Sequence, residues 1–367
     1  MTHKPLQVLV MAGGTGGHVF PALAVAEELR ARGASIHWLG TARGIETRLV
    51  PEANIPLHFI SVEGVRGRGV IGLLKAPFLI AYALIQSLQI IRRLQPDVVI
   101  GFGGFASGPG GAAAVIAGVP LIIHEQNAVA GTTNRILAKI ARRVLAAFPH
   151  AFVGRSELQT QVVGNPVRQQ IQNLEVPSVR YQRRIEQQAP LRLLVVGGSL
   201  GAKAINELVP KALADLPANL RPEVRHQTGK NHAEATIALY MQHQVNAKVD
   251  AFIDDMAAVY AWADVVICRA GALTVSELMM AGVASILIPL PSAIDDHQTF
   301  NAKNLTDAGA GIALVQKDLT AAKLAALLLT ELADRQHLKS MAEKARQLAK
   351  PNSAREVADI CEEVARG

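Results

Sequence analysis

The run Val8 to Met11 is apolar at every position. It breaks into Gly13-Gly14-Thr15-Gly16-Gly17, after which Phe20-Pro21-Ala22-Leu23-Ala24-Val25-Ala26 takes up a helical period. A strand with no polar alternation is buried on both faces, the mark of a parallel sheet covered by helices. The pattern returns at Leu191 to Val196, followed by Gly197-Gly198-Ser199-Leu200-Gly201 and a helix from about Lys203. A chain that repeats this unit is constrained to an α/β architecture: two doubly wound, Rossmann-like domains whose glycine turns face each other across a cleft. At 367 residues two cores are also the default. Residues 169–190 are polar, rich in Gln and Arg and without core periodicity, and read as a linker or covering segment.

Strand, glycine turn and helix start together make an anion site. Glycine lets a phosphate approach the backbone, and the helix start offers N–H groups with a positive partial charge. Pro21 is expected in the first helical turn, where no N–H is needed. Two familiar phosphate loops are excluded. A dinucleotide fingerprint wants a third glycine where Val19 stands, and an acidic residue after the second strand, where His37-Trp38-Leu39-Gly40-Thr41 has none. A Walker loop wants Lys-Ser or Lys-Thr after its last glycine, and here His18 follows Gly17. His18 is therefore either a titratable imidazole offered to whatever the loop holds or a helix-start histidine bonded to backbone.

Further along, the strand Pro96 to Gly101 leads to a second glycine loop, Gly103 to Gly111. Leu121-Ile122-Ile123 ends in His124-Glu125-Gln126-Asn127, four polar side chains at the carboxyl edge of a strand, where open α/β sheets bind ligands. In the second half the strand Val265 to Cys268 leads to Gly271-Ala272-Leu273-Thr274-Val275-Ser276-Glu277. That helix start suits a nucleotide phosphate. Glu277 suits ribose hydroxyls unless it only completes a capping box with Thr274. The aspartates come as adjacent pairs, Asp254-Asp255 and Asp295-Asp296, not as Asp-x-Asp, and no His/Cys cluster has ligand spacing. No metal and no cofactor is expected; helix dipoles and amides are left to hold a departing diphosphate.

The net charge of +7 asks for an anionic partner or surface. Gly64-Val65-Arg66-Gly67-Arg68-Gly69 precedes a helix from about Val70 to Leu94, whose apolar run Ala76 to Ile85 is flanked by Lys75, Arg92 and Arg93. Pro77, Gln86 and Gln89 interrupt it, so it falls short of the ~20 apolar residues that span a bilayer. It reads as a membrane-surface segment, against the plainer reading of a core-facing helix with basic ends. Arg135, Lys139, Arg142 and Arg143 form a basic helix, the next candidate surface. Two cysteines, Cys268 and Cys361, and no secretory leader after Met1 point to a reducing cytoplasm. Few aromatics and no stacking platform argue against nucleic acid.

Seven motifs occur in order along nearly the whole chain: GGTGGHVFPALAVAEEL, GGFASGP, HEQNAVAGTTNR, GNPVR, VVGGSLGA, FIDDMAAVYAWADVVICRAGALTVSE and DDHQTFNA. In that register the chain resembles the MurG family, the N-acetylglucosaminyltransferases of bacterial peptidoglycan synthesis. The resemblance implies a GT-B fold. Residues 1–168 would form an acceptor and membrane-associating domain, on which a C-terminal helix at about 351–367 packs back, and 169–350 a UDP-sugar domain. It implies UDP-N-acetylglucosamine as donor and lipid I, undecaprenyl-pyrophosphoryl-N-acetylmuramoyl-pentapeptide, as acceptor. It also implies a peripheral place on the cytoplasmic face of the plasma membrane, on an anionic surface, with other cell-wall synthesis proteins as further partners.

Site residues follow from the same resemblance. Thr15, Gly16, Gly17 and Asn127 would face the donor, with Arg168 and Ser199 at its diphosphate and the backbone of Ile253 at the uracil. Ala272, Leu273, Thr274, Val275, Ser276 and Glu277 would hold the α-phosphate and ribose, and Gln298 the sugar. Gly14, Gly103, Gly104, Ser107 and His124 would meet the acceptor. Thr132 stands where many relatives have Leu, Ala270 where Ser is frequent, and the loop Pro291 to Asp295 also departs, which bears on Gln298.

The chemistry implied is a single displacement with inversion, in which a base takes the proton of the muramoyl 4-hydroxyl. His18 has a suitable ordinary pKa of about 6.5. Glu125 and His124 compete for the role, with His18 then positioning phosphate. The same fold could serve a UDP-N-acetylglucosamine 2-epimerase or a diacylglycerol glycosyltransferase. A nucleotide-sensing module without turnover would leave the second glycine loop and His124 to Asn127 without a task.

Overall fold

The computed structural model describes residues 4–62, 69–152, 159–198 and 201–367. They form two compact units, Met1–Arg168 with Lys350–Gly367, and Gln169–Ala349.

The first unit runs β1 (Gln7–Met11), α1 (Gly16–Ala31), β2 (Ser35–Gly40), α2 (Glu46–Glu52), β3 (Leu57–Phe59), α3 (Gly69–Leu94), β4 (Val98–Gly101), α4 (Ser107–Ile116), β5 (Leu121–Glu125), α5 (Thr132–Leu137), β6 (Arg143–Ala146) and β7 (Thr160–Val162). Its parallel sheet has the order β3-β2-β1-β4-β5-β6-β7. The apolar run of β1 is explained by its pleat: Val8 and Val10 enter one buried cluster with α1, and Leu9 and Met11 another with α3 and α4. Between β1 and β4, paired from Val8↔Val98 to Met11↔Gly101, the strand order reverses, the place where open α/β sheets bind ligands at the carboxyl ends of their strands.

Two expectations are corrected here. Pro21 lies inside α1, because the backbone N–H groups of His18 and Val19 both reach the carbonyl of Thr15 at 3.2 Å and the helix winds from there. Gly16 and Gly17 are thus helical. The basic stretch Arg135 to Arg143 is not one helix: α5 ends at Leu137, and the N–H of Arg142 joins the sheet at the carbonyl of Leu121, 2.7 Å away.

The second unit runs α6 (Gln169–Gln172), α7 (Pro177–Glu186), β8 (Arg192–Val196), α8 (Lys203–Ala214), β9 (Glu223–Gln227), α9 (Ala233–Gln242), β10 (Lys248–Asp250), α10 (Met256–Trp262), β11 (Val265–Cys268), α11 (Ala272–Ala281), β12 (Ala284–Leu287), α12 (His297–Thr306), β13 (Gly311–Ala313), α13 (Ala321–Ala333) and α14 (Arg335–Gln347). The order β10-β9-β8-β11-β12-β13, again parallel, repeats the first design and sets the switch point between β8 and β11. The segment 169–190 is part of this unit rather than a linker. Tyr181 on α7 enters its core, Arg184 is buried against Asp264 and the carbonyl of Trp262, and Arg180 donates to the carbonyls of Ala281 and Gly282 at 3.1 and 2.6 Å. Burial here is by guanidinium groups bonded to backbone carbonyls and to Asp264, which leave no apolar period to read.

The chain ends on α15 (Ser353–Arg366), which packs in the first unit against α1, with Arg32 bridging Glu28, Asp359 and Glu362.

Candidate active site

In the first unit the loops after β1 and β4 touch. Gly104 has φ +84°, and a side chain there would strike the backbone of Gly13. Gly103, at φ +99°, leaves room for the ring of His18, whose Nε2 would lie 3.1 Å from any Cβ at that position. His18 is the third residue of α1 and half-buried, behind the exposed Gly14 and Thr15. Its Nδ1 lies 3.3 Å from the carbonyl of Gly13. A carbonyl only accepts, so Nδ1 carries the proton and Nε2 the lone pair.

The first loop is held by Glu46, a residue that no motif singled out. It opens α2 fully buried, and its carboxylate accepts the N–H of Gly14 at 2.9 Å and the N–H and hydroxyl of Thr41 at 3.1 and 2.9 Å. A Cβ at Gly13, Gly40 or Gly44 would collide with that carboxylate. Glycines at 40 and 44 just ahead of Glu46 are its trace in the sequence.

Strand β5 runs on through Glu125, so the pleat sends His124 and Glu125 to opposite faces. The ring of His124 is fully buried: Nε2 donates to the carbonyl of Gly164 at 2.9 Å, and Nδ1 accepts from the amide of Gln126 at 3.1 Å. Burial lowers its pKa to about 4, against the smaller opposing pull of the Gly164 carbonyl. Both ring nitrogens are thus engaged within the protein. The carboxylate of Glu125 accepts four bonds: from the N–H and amide of Asn127 at 2.9 and 3.2 Å, the N–H of Gly131 at 3.0 Å and the amide of Asn134 at 2.9 Å. It shapes the loop that carries Asn127, and its lone pairs are taken. Ser107 is likewise turned inward, its hydroxyl between the carbonyls of Gly103 and Met11 at 2.7 and 3.2 Å. At the end of this unit the Arg168 guanidinium lies 5.3 Å above the ring of Phe20.

In the second unit Ser199 lies outside the described residues. The turn at Gly197 is backed by Asn206, which donates to the carbonyl of Thr228 at 3.0 Å and accepts from Nε2 of His226 at 3.0 Å. The hydroxyl of Tyr240 donates to Nδ1 of His226 at 3.0 Å, and burial lowers that ring to about 3.

Helix α11 starts from an N-cap at Gly271, so the N–H groups of Ala272, Leu273 and Thr274 have no carbonyl within the helix to meet. The amide of Val275 already bonds Gly271 at 2.9 Å, its side chain is in the core, and the hydroxyl of Ser276 turns back to the carbonyl of Ala272 at 3.0 Å. Thus Val275 and Ser276 shape the turn without presenting a side chain. The cap at Gly271 also removes the capping-box reading of Glu277. That carboxylate, nearly buried, accepts instead from the hydroxyl of Tyr260 on α10 at 3.2 Å. The N–H of Ile253 donates to Oε1 of Gln227 at 3.0 Å, so a base edge would meet the Ile253 carbonyl. Gln298 accepts the N–H of Leu290 on Oε1 at 3.0 Å, which leaves its NH₂ as the donor end of the amide. Just before it, Asp295 and Asp296 both take left-handed backbone, at φ 52° and 51°. Among the described residues no three His, Cys, Asp or Glu side chains converge as a metal ion would require.

Known proteins share this arrangement. The glycosyltransferase family 28 N-terminal domain matches residues 8–146 and the family's C-terminal domain residues 192–360. A protein of Cellvibrio japonicus, the UDP-N-acetylglucosamine–N-acetylmuramyl-(pentapeptide) pyrophosphoryl-undecaprenol N-acetylglucosamine transferase, is 68% identical over 99% of this chain and 100% of its own length. The crystal structure of MurG from Acinetobacter baumannii is 46% identical, covers 98% of this chain and 100% of its own, and superimposes with a TM-score of 0.83.

This chain belongs to the MurG family.

Its fold is GT-B, two Rossmann-like domains. The Anabaena HepE structure, solved with UDP and glucose, shares that fold with a TM-score of 0.62 at 18% identity. Within this member of the MurG family, the first unit gathers Gly14, Thr15, Gly16, Gly17, His18, Gly103 and Gly104 at its switch point. The second gathers the start of α11, Glu277 and the Gly197 turn at its own. His124 and Ser107 are buried beneath the first of these, each bonded within the unit.

Proposed function

We infer that the protein transfers N-acetylglucosamine from UDP-N-acetylglucosamine to lipid I, giving lipid II and UDP in peptidoglycan synthesis. The observation that carries this is full-length likeness, at 68% identity, to a transferase named for that reaction. The switch point of each unit suits a part of that chemistry. The amides and positive end of α11 suit the departing diphosphate, and Glu277 suits the ribose hydroxyls. His18 presents an Nε2 lone pair beside Gly103 to take the acceptor's hydroxyl proton as the anomeric carbon is attacked and inverted. The four bonds on Glu125 favour His18 over it as the base.

The acceptor's tail favours a peripheral place on the membrane, since each CH₂ taken from the bilayer costs about 0.8 kcal/mol. Helix α3 supports that reading. Ala76, Ala83, Ser87 and Ile91 form its buried stripe, while Phe78 is 80% exposed, Tyr82 53%, Ile80 48% and Leu79 42%, with Lys75, Arg92 and Arg93 exposed at its ends. From Lys75 to Ala83 the buried positions are alanines and the large apolar side chains face out, while Leu84, Leu88, Ile90 and Ile91 further along pack on the core. Arg66 and Arg68 lie outside the described residues. No helix among the described residues is long and apolar enough to cross a membrane.

The test is UDP release from UDP-N-acetylglucosamine with and without a lipid I analogue. Release that requires the analogue, with the disaccharide product formed, is expected. UDP release without acceptor, accompanied by a 2-epimerised sugar, would assign the epimerase reaction instead.

A further inference from the structure

The peptide between Gly13 and Gly14 is gripped by a side chain at each end. Its N–H, on Gly14, donates to Oε2 of Glu46 at 2.9 Å, and its carbonyl, on Gly13, accepts from Nδ1 of His18 at 3.3 Å. The other oxygen of Glu46 takes the N–H and the hydroxyl of Thr41. All three partners of Glu46 donate, so it acts as an acceptor-only carboxylate, fully buried among glycines that leave space for nothing else.

We propose that Glu46 is a positioning residue that acts on His18 through this one peptide, a carboxylate backing the base with an amide interposed. The proposal rests on the reading of His18 as the group that takes the proton. A carboxylate bonded to an amide N–H shifts the peptide's electrons toward its oxygen, and hydrogen bonds in such a chain reinforce one another. The Gly13 carbonyl thereby holds Nδ1–H more firmly. That fixes the tautomer with its lone pair on Nε2, and it favours the imidazolium formed when Nε2 accepts the hydroxyl proton. No bond to carbon is made or broken by Glu46.

Among the charged groups of the surrounding elements, Arg43 is exposed on the loop ahead of α2, and Arg48 of α2 is paired with Glu52. The Gly103 loop carries none, and β1 carries none. On β2, His37 is paired with His58. At the end of β5, Glu125 is bonded into its loop and His124 to Gly164 and Gln126. Arg168 lies over Phe20, and Asp359 and Glu362 of α15 are held by Arg32 at the far end of α1.

The experiment is nuclear magnetic resonance on the full chain with histidine and glycine labelled, beside the pH profile of kcat. In the unaltered protein His18 should titrate from the Nδ1–H tautomer, and the Gly14 amide resonance should follow the same midpoint. In Glu46→Gln the His18 midpoint should fall by about 0.5–1 pH unit. The acid limb of kcat should move down with it and kcat drop roughly ten-fold, with KM for UDP-N-acetylglucosamine unchanged. An unmoved midpoint in the folded variant, whatever happens to its Tm, overturns the proposal. So does a Gly14 amide that ignores the titration of His18 in the unaltered protein, a measurement that decides alone if Glu46→Gln does not fold. If the midpoint moves and the kcat limb does not, the coupling stands, and it is His18 as the base that falls.

Discussion

The hydroxyl of Tyr260 donates to Oε2 of Glu277 at 3.2 Å, so a carboxylate on α11 is aimed by a buried phenol on α10. If Glu277 holds the ribose, Glu277→Ala should raise KM for UDP-N-acetylglucosamine roughly ten- to over a hundred-fold, the worth of hydrogen bonds to a charged acceptor. Tyr260→Phe should raise it only about three- to ten-fold, since the carboxylate remains and loses its alignment. Unchanged donor KM in a folded Glu277→Ala variant would remove the ribose role.

His18 and Glu125 separate by what their loss does. His18→Ala should lower kcat about 10²–10⁴-fold with little change in donor KM. Glu125→Gln places an NH₂ against groups that donate, so it should cost about 1–3 kcal/mol of stability and leave the acid limb of the kcat profile in place. A limb that vanishes in Glu125→Gln and persists in His18→Ala would exchange the two roles.

Acid should weaken both units. The unfolded chain protonates its histidines near 6.5, while His124 and His226 are held at about 4 and about 3 by burial. Between those values the unfolded state binds more protons, so stability rises with pH through the window, is complete above about 6.5 and is lost as pH falls. From pH 7 to pH 5 each histidine should cost about 2 kcal/mol. Denaturant titrations at the two pH values measure this, and His124→Gln, which retains a donor for Gly164, should shrink the loss.

Vesicles containing anionic lipid should bind the protein, and high salt should weaken the binding, since each basic residue near such a surface is worth about 1 kcal/mol. The side chains of Leu79 and Ile80 stand out from α3, so the double variant Leu79→Ser, Ile80→Ser should keep its Tm and its UDP affinity while binding vesicles less well. Unaltered vesicle binding in that variant would move the contact surface elsewhere, next to the exposed Ile136, Ile140 and Lys139.

Transfer should survive EDTA, because amides and a helix end are expected to carry the diphosphate charge. Activity lost in chelator and restored by magnesium would contradict that mechanism.

Much of the frame was legible in the residues themselves. A strand buried on both faces has to be apolar throughout, and the corner after it has to be glycine, so Val8–Met11 with Gly13 and Leu193–Val196 with Gly197 announced two sheets and the glycine turns at their carboxyl ends. The place of α11, with Gly271 before it, was visible for the same reason. Chain order alone also placed His18 at the start of α1.

Which polar group faces a ligand was decided only by the fold. His124 and Glu125 are neighbours in sequence, yet the pleat separates them, and His124 is bonded to the distant Gly164 carbonyl while Glu125 is bonded by the loop that follows it and by Asn134 of α5. Arg180 and Arg184 looked like a solvated linker because their acceptors, Ala281, Gly282 and Asp264, come from strands and helices 80 or more residues away. Glu46 reaches Gly14 across 32 residues. A lone polar side chain carries no period, and its role is set by whether distant backbone satisfies it or leaves it facing a substrate.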